Sequence, residues 1–70
     1  MEKVLNAEDI GKRLRELRGF HRTLADVSDG SGVSAQQISQ YETGQRIPSA
    51  ETVARLAAFY DTTTDFIFFG

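Results

Sequence analysis

Apolar residues recur at helical spacing in several short segments of this chain, and capping residues stand at the ends of those segments. In the first segment Ile10, Leu14 and Leu17 follow one another at intervals of four and three residues, with charged residues between them. This spacing is typical of an amphipathic helix. Asn6 is a candidate N-cap and Gly19 a candidate left-handed C-cap for this helix. The sequence carries no strand signal, so the pattern predicts an all-α fold.

A second helix is predicted to begin after Thr23, because Asp26 follows three residues later in the arrangement of a capping box. Leu24 and Val27 are expected to turn inward from it. The serine, aspartate and glycine residues that follow are weak helix formers. We therefore expect this helix to fray before Gly32.

The third and fourth helices are each predicted to follow a serine cap. Ser34 begins a helix that runs to about Tyr41 and stops at Gly44, with Ile38 and Tyr41 facing the core. Ser49 begins the fourth helix. Its inward side chains are predicted to be Val53, Leu56, Ala57 and Tyr60.

A fifth, short helix is predicted after the break "DTTTD". Asp61 tolerates the left-handed backbone that ends the fourth helix, and Thr64 or Asp65 is able to cap the fifth. The side chains predicted to return to the core are Phe66, Ile67 and Phe68. Four consecutive apolar residues cannot all face inward from one short helix, so at least one aromatic ring at this end is expected to be exposed.

The size and residue content of the chain narrow the classes of protein that it can belong to. Seventy residues make one domain, 1–70, near the lower limit for a self-supporting core. With no cysteine and one histidine, we predict no disulfide, no metal, no cofactor and no enzymatic activity. The longest apolar run is far shorter than the about twenty residues of a membrane span, and the charged N-terminus is unlike a signal peptide. These features predict a cytoplasmic protein.

The chain is mildly acidic, with a net charge of -2 and a pI of about 5.2. That balance argues against bulk attraction to nucleic acid. The charges are unevenly distributed, however, and six of the eight basic residues lie before residue 23. They are Lys3, Lys12, Arg13, Arg15, Arg18 and Arg22. A positive face is therefore compatible with the negative net charge.

Four stretches, in this order and spacing, resemble the helix-turn-helix of the phage repressor and Cro family, also called the xenobiotic response element family. They are "IGKRLRELR", "GVSAQQISQYETG", "RIPSAETVARLAAFY" and "TTTDFIFFG". The resemblance covers nearly the whole chain. It implies a compact five-helix lambda-repressor-like domain, with the helix-turn-helix at about 23–43, that binds double-stranded DNA as a transcriptional regulator, most simply a repressor.

The resemblance places the base-reading positions on the third helix, at Ala35, Gln36 and Gln40. In such proteins the recognition helix enters the major groove, where a glutamine amide can pair with adenine through two hydrogen bonds. Ser39 lies beside the two glutamines, and Gln37 is predicted on the flank, closer to the core. Exposed glutamines on a helix also occur as a plain solvated face.

The resemblance also implies contacts that hold the protein on DNA without reading sequence. The implied phosphate contacts are Thr23, Ser34, Thr43, Gln45 and Arg46, and the position of Arg22 near the second helix makes it a further candidate. An ion pair between Arg18 and Glu42 is implied as a structural feature.

This chain departs from the family pattern on the helix-two side. The link around "GFHR" is one residue short, and Leu24 stands where the family has a glutamine that contacts the DNA backbone. Ser31 replaces a core aliphatic residue, so we expect this side to be looser or to lean on Phe20.

Two questions about partners stay open in the sequence. The acidic pI and Leu24 also suit a protein-interaction module on a helix-turn-helix fold with weak or lost DNA binding. In relatives the C-terminal region often forms a two-fold interface, which makes Phe69 a candidate dimer contact and predicts a homodimer.

Overall fold

Each helix of this protein begins at a side chain that caps its first turn. The computed structural model describes residues 4–70, so Lys3 lies outside the described residues. Within them the chain forms five helices and no strand. The helices are α1 (Ala7–Arg18), α2 (Leu24–Ser31), α3 (Ala35–Glu42), α4 (Ala50–Tyr60) and α5 (Thr64–Phe69). The predicted all-α, five-helix fold is confirmed.

The predicted caps of the first four helices are present. Asn6, Thr23, Ser34 and Ser49 each accept a hydrogen bond from the backbone three residues later. At α5 the prediction was wrong by one or two residues, because Thr63 and not Thr64 or Asp65 caps the helix. The run of three threonines, residues 62–64, offers the same hydroxyl at three positions, and the middle one, Thr63, has extended backbone before the helical turn.

One core joins the five helices, because α1 packs on α3 and α5 while α4 packs on α2 and α5. Its buried apolar side chains are Ile10, Leu14, Val27, Val33, Ile38, Tyr41, Val53, Leu56, Ala57 and Ile67. Leu24 and Tyr60 are partly buried against this core. The predicted inward faces of α1, α3 and α4 are therefore confirmed, with Tyr60 at the edge.

The expectation that α2 frays before Gly32 was wrong. The helix continues through Ser31 and ends at Gly32, which caps it with left-handed backbone. Buried Ser31 contributes to this end, because its hydroxyl accepts a hydrogen bond from the backbone N–H of Val33 at 3.2 Å. The weak helix formers of α2 are thus offset by fixed ends and by packing, which outweigh intrinsic propensity in short helices.

Two aromatic side chains lie on the surface instead of in the core. Phe20 is 99% exposed, so it does not compensate for Ser31 as expected. Phe66 is 41% exposed, whereas Phe68 is partly buried against the core and Phe69 is half-buried. Residues 66–68 were predicted to share the core, and the helical rotation of α5 keeps Phe66 out of it.

The end of α1 differs in detail from the predicted left-handed cap. Gly19 terminates the helix with φ 68° and ψ -165°, which lies outside the left-handed helical region. This combination of angles is accessible essentially only to glycine. It turns the chain sharply out of α1 and into the short link before α2.

Candidate nucleic-acid interface

The two sides of α3 have opposite character. Ile38 and Tyr41 are buried at 1% and 5% exposure. Gln36 and Gln37 are exposed, while Gln40 is half-buried. Gln37 is therefore further from the core than predicted. Ala35 and Ser39 are also half-buried, so they lie at the margins of this polar face.

The N-terminal end of α3 is suited to an anionic ligand. Ser34 is exposed, and its hydroxyl accepts the N–H of Gln37 at 3.2 Å. The first turn carries no acidic residue. The unpaired N–H groups and the helix dipole make this end partially positive, so a DNA phosphate or base edge meets no opposing charge on α3 here.

The loop that follows α3 is held in place by its own hydrogen bonds. The Thr43 hydroxyl donates to the carbonyl of Ser39 at 2.9 Å and accepts from the side-chain amide of Gln45 at 3.0 Å. The backbone N–H of Gln45 also donates to the carbonyl of Gln40 at 2.9 Å. Gln45 is exposed, so this ordered loop presents its amide to solvent beside the end of α3.

Arg46 is the cation of this loop. Its side chain is exposed, and it makes no ion pair or hydrogen bond with any residue between 4 and 70. A guanidinium in this condition is able to bind a phosphate without first breaking an internal contact.

The ion pair between Arg18 and Glu42 is present and bidentate. Arg18 donates from Nε and Nη2 to the two carboxylate oxygens of Glu42 at 2.8 and 2.9 Å. The two side chains are only 16% and 6% exposed, and the hydrogen bond to Glu42 raises the pKa of Arg18. Its Nη1 also donates to the carbonyl of Arg22 at 3.1 Å. One guanidinium thus joins the end of α1, the approach to α2 and the end of α3.

Arg22, a predicted phosphate contact, is turned toward the protein. Its Nη1 donates to the carbonyl of Leu17 at 3.1 Å. Its guanidinium carbon lies 5.5 Å from the ring centre of Phe59 and 5.7 Å from that of Tyr60. The structure therefore favours an internal role for Arg22, because a phosphate contact would require it to leave these partners. Sequence reasoning placed Arg22 near α2 and had no signal for the two rings of α4.

Tyr60 lies between this cluster and the core. Its hydroxyl oxygen is buried and has no hydrogen-bond partner among the described residues. Burial, with a smaller contribution from the charge of Glu42, raises the pKa of Tyr60 to about 12. The hydroxyl is therefore held neutral beside the Arg18–Glu42 pair.

The position of α3 depends on a close approach that sequence reasoning missed. A Cβ atom at buried Gly11 would lie 2.8 Å from the carbonyl oxygen of Glu42 and closer still to that of Tyr41. Only a residue without a side chain allows α1 to approach the end of α3 this closely. The signal in the sequence was a glycine inside an amphipathic helix, immediately after a core residue.

The remaining predicted positions take the following places. Thr23 is exposed at the start of α2, where its hydroxyl accepts the N–H of Asp26 at 3.1 Å. Leu24, where the family resemblance implies a glutamine, packs against the core. Phe69 lies beside Phe68 in a cleft of about 230 Å³ between α5 and the start of α1.

Residues 4–70 contain no group of histidine, cysteine or acidic side chains arranged to hold a metal ion. None of their helices is long and apolar enough to cross a membrane.

Both the sequence and the fold are similar to those of known proteins. The sequence profile of the Helix-turn-helix family matches residues 12–67. Among solved structures, the restriction-modification controller protein C.AhdI from Aeromonas hydrophila is similar, with a TM-score of 0.80 and 28% sequence identity. The match covers 89% of this chain and 96% of that one.

Two more solved structures have comparable similarity. The P22 c2 repressor, in complex with the synthetic operator 9T, has a TM-score of 0.81 and 27% identity, over 87% of this chain and 94% of that one. The clp gene regulator ClgR from C. glutamicum has a TM-score of 0.77 and 27% identity, over 94% and 86% of the two chains. No curated protein matches the sequence.

Proposed function

Because the chain belongs to the Helix-turn-helix family, we propose that it is a transcriptional regulator that binds specific double-stranded DNA through α3. The observation that carries this proposal is the division of α3 into a buried face, Ile38 and Tyr41, and a polar face led by exposed Gln36. A repressor of similar fold is known in complex with a synthetic operator. These similarities support a DNA-binding regulator over a protein-interaction module or an enzyme.

The proposed base contacts lie on the polar face of α3. Gln36 and Gln40 each offer one acceptor and two donors, which match N6 and N7 of adenine in the major groove. Ala35 offers an apolar contact to a thymine methyl group. Ser39 and Gln37 flank these positions and make secondary contacts to base edges or water.

The proposed phosphate contacts surround that face. They are Thr23 at the start of α2, Ser34 at the start of α3, and Thr43, Gln45 and Arg46 in the loop after α3. Arg46 contributes the one positive charge of this set, and it forms no ion pair with any residue from 4 to 70. Because so few cations take part, we expect a shallow dependence of affinity on salt, with specificity supplied by base contacts.

We propose that the protein acts in the cytoplasm as a homodimer that uses its C-terminal region, with Phe69 as a contact. Such a dimer would place two copies of α3 about 34 Å apart, one helical turn of DNA. Repression follows where the site overlaps a promoter.

Selection from a random duplex DNA library at near-physiological salt tests this proposal. A motif with two-fold symmetry and half-sites about ten base pairs apart is the expected result. A symmetric motif supports the dimer, whereas a single half-site supports DNA reading by a monomer. Recovery of no motif, with retention lost on a modest rise in salt, would leave only non-specific contact and overturn the proposed function.

A further inference from the structure

The link between α1 and α2 has no apolar anchor of its own. It consists of residues 19–22, in which Phe20 is 99% exposed and His21 is also exposed. The residue before a helix N-cap is often hydrophobic and packs against the first turns of the helix. Here that position is Arg22, the only half-buried side chain of the link.

Arg22 is held on both its side chain and its backbone. The guanidinium lies over the rings of Phe59 and Tyr60 at 5.5 and 5.7 Å and donates to the carbonyl of Leu17 at 3.1 Å. The carbonyl of Arg22 accepts from Nη1 of Arg18 at 3.1 Å. The last residue of the link is therefore fixed to α1 and to α4 at once.

Thr23 follows Arg22 directly and is the N-cap of α2. Its hydroxyl accepts the N–H of Asp26, and the carboxylate of Asp26 accepts the N–H of Thr23 at 2.9 Å. The next residue, Leu24, has an apolar side chain that packs inward and cannot brace this end of α2 on DNA. The orientation of the Thr23 hydroxyl thus depends on where Arg22 holds the link.

We propose that Arg22 is a positioning residue for DNA binding, one that fixes the phosphate contact at Thr23 without touching phosphate itself. The inference rests on the proposed function, since it concerns the same interface. An arginine suits the task because its planar guanidinium stacks on aromatic rings and donates in a fixed direction, which lysine does not reproduce.

The experiment compares Arg22→Lys and Arg22→Met with the wild type on the selected duplex, over a range of salt. If Arg22 positions Thr23, both variants bind roughly three- to tenfold more weakly, and both keep the wild-type slope of log affinity against log salt. If Arg22 binds phosphate directly, Arg22→Lys keeps an affinity near that of the wild type. Arg22→Met then makes the slope shallower by about 0.9. The second pattern would overturn the inference.

Two matched variants calibrate the slope. Arg46→Met removes the exposed cation of the proposed interface and should make the slope shallower by about 0.9. Arg55→Met removes an arginine that is paired with Glu51 on the exposed side of α4 and should leave affinity unchanged.

A double-mutant cycle with Thr23→Val separates positioning from general stability. In the wild-type background the loss of the Thr23 hydroxyl should weaken binding, whereas in Arg22→Met the same change should have little further effect. If the fold-losses of DNA affinity from the two changes simply multiply, at a temperature where every variant is folded, Arg22 is merely structural and the inference is wrong. Should Arg22→Met not fold, Phe59→Leu takes its place in the cycle, because it removes a ring on which Arg22 stacks. We expect Phe59→Leu to give the same coupling with Thr23→Val.

Amide hydrogen exchange in the free protein tests, without DNA, whether Arg22 holds the start of α2. The amide of Val27 donates to the carbonyl of Thr23, and its exchange should accelerate in Arg22→Met but not in Arg55→Met. Unchanged exchange would contradict the inference. Failure of the wild type to select any DNA motif removes the proposed function and the inference together, whereas wild-type affinity in both Arg22 variants removes the inference alone.

Discussion

The two helices of the helix-turn-helix, α2 and α3, have eight residues each but are held in different ways. The C-terminal end of α3 lies against the backbone of α1 at Gly11, and Glu42 is bound by two hydrogen bonds from Arg18. At α2 the close approaches are made by side chains. The ring of Phe59 covers Gly30, and Arg22 stacks on α4.

This difference assigns separate tasks to the two helices. Backbone-to-backbone contact cannot adjust without moving a whole helix, so α3 keeps its orientation and its polar face keeps its direction. Side-chain contacts adjust by rotation, so α2 tolerates weak helix formers and an altered link. Under the proposed function, the base contacts lie on the helix that is held by backbone contact, and the other helix supports it.

The largest effect is expected from Gly11→Ala. The new methyl group would overlap the carbonyl oxygens of Tyr41 and Glu42, which belong to the backbone, and we expect a loss of roughly 3 kcal/mol or more in the free energy of unfolding. Gly30→Ala is the matched control on α2, where the obstacle is the ring of Phe59. The ring can turn and alanine favours the helix, so the net change should stay within about 1 kcal/mol. Urea unfolding of both variants measures the difference, and equal losses would refute the distinction between the helices.

A smaller loss is expected when the ion pair is broken. Glu42→Gln leaves the charge of Arg18 without its carboxylate, and we expect a cost of roughly 2 to 3 kcal/mol, reduced from that of a fully buried pair by the partial exposure of Arg18. Arg18→Met combined with Glu42→Gln should cost less than the sum of the single changes. Thermal unfolding of the four proteins gives the coupling, and strictly additive losses would show that the pair does not hold α3.

The caps provide a third comparison. Thr23→Ala removes a reciprocal capping box and should cost about 1 kcal/mol in the free energy of unfolding, whereas Ser34→Ala removes a single capping hydrogen bond from α3.

Hydrogen bonds from the backbone and then the side chain of Thr23 lower the pKa of Asp26 below its usual 3.8. Stability from this carboxylate is therefore present above pH 3.8 and is lost as the pH falls through the lowered value. Acid titration should show this loss in wild type and not in Asp26→Asn.

The smallest effect at neutral pH is expected from Tyr60→Phe. The hydroxyl is buried and has no hydrogen-bond partner within residues 4–70, so its removal should change the free energy of unfolding by less than about 1 kcal/mol. Because burial raises the pKa of Tyr60 to about 12, the neutral form stabilises the fold below pH 10, and that contribution is lost as the pH rises from 10 to 12. Tyr60→Phe should lack this alkaline loss. A large destabilisation at neutral pH would indicate that the hydroxyl has a partner.

Most of the fold follows from local chemistry in the sequence. The caps at Asn6, Thr23, Ser34 and Ser49 depend on side chains three residues from their bonded N–H groups, and the core faces depend on helical spacing. Two of the misplaced features involve distant parts of the chain. The extent of α2 depends on packing against α4, and the exposure of Phe66 depends on how α5 rotates onto the core.

The same division holds for the candidate site. The polar face of α3 was predictable because Ile38 and Tyr41 set the rotation of the helix. The stacking of Arg22 on Phe59 and Tyr60 brings together residues more than thirty positions apart, and no periodicity encodes that contact. Gly11 was visible as a break in an amphipathic helix, but its neighbour across the contact was not.

Parallel selection of DNA by wild type, Gln36→Ala and Arg55→Met tests the claim that the polar face of α3 reads DNA bases. We expect Gln36→Ala to lose its preference at one position of each half-site, where wild type and Arg55→Met prefer adenine. The discrimination lost there should be about 1 to 3 kcal/mol, with the other positions unchanged. An identical motif for all three proteins would contradict the claim, because the bases would then be read by another surface.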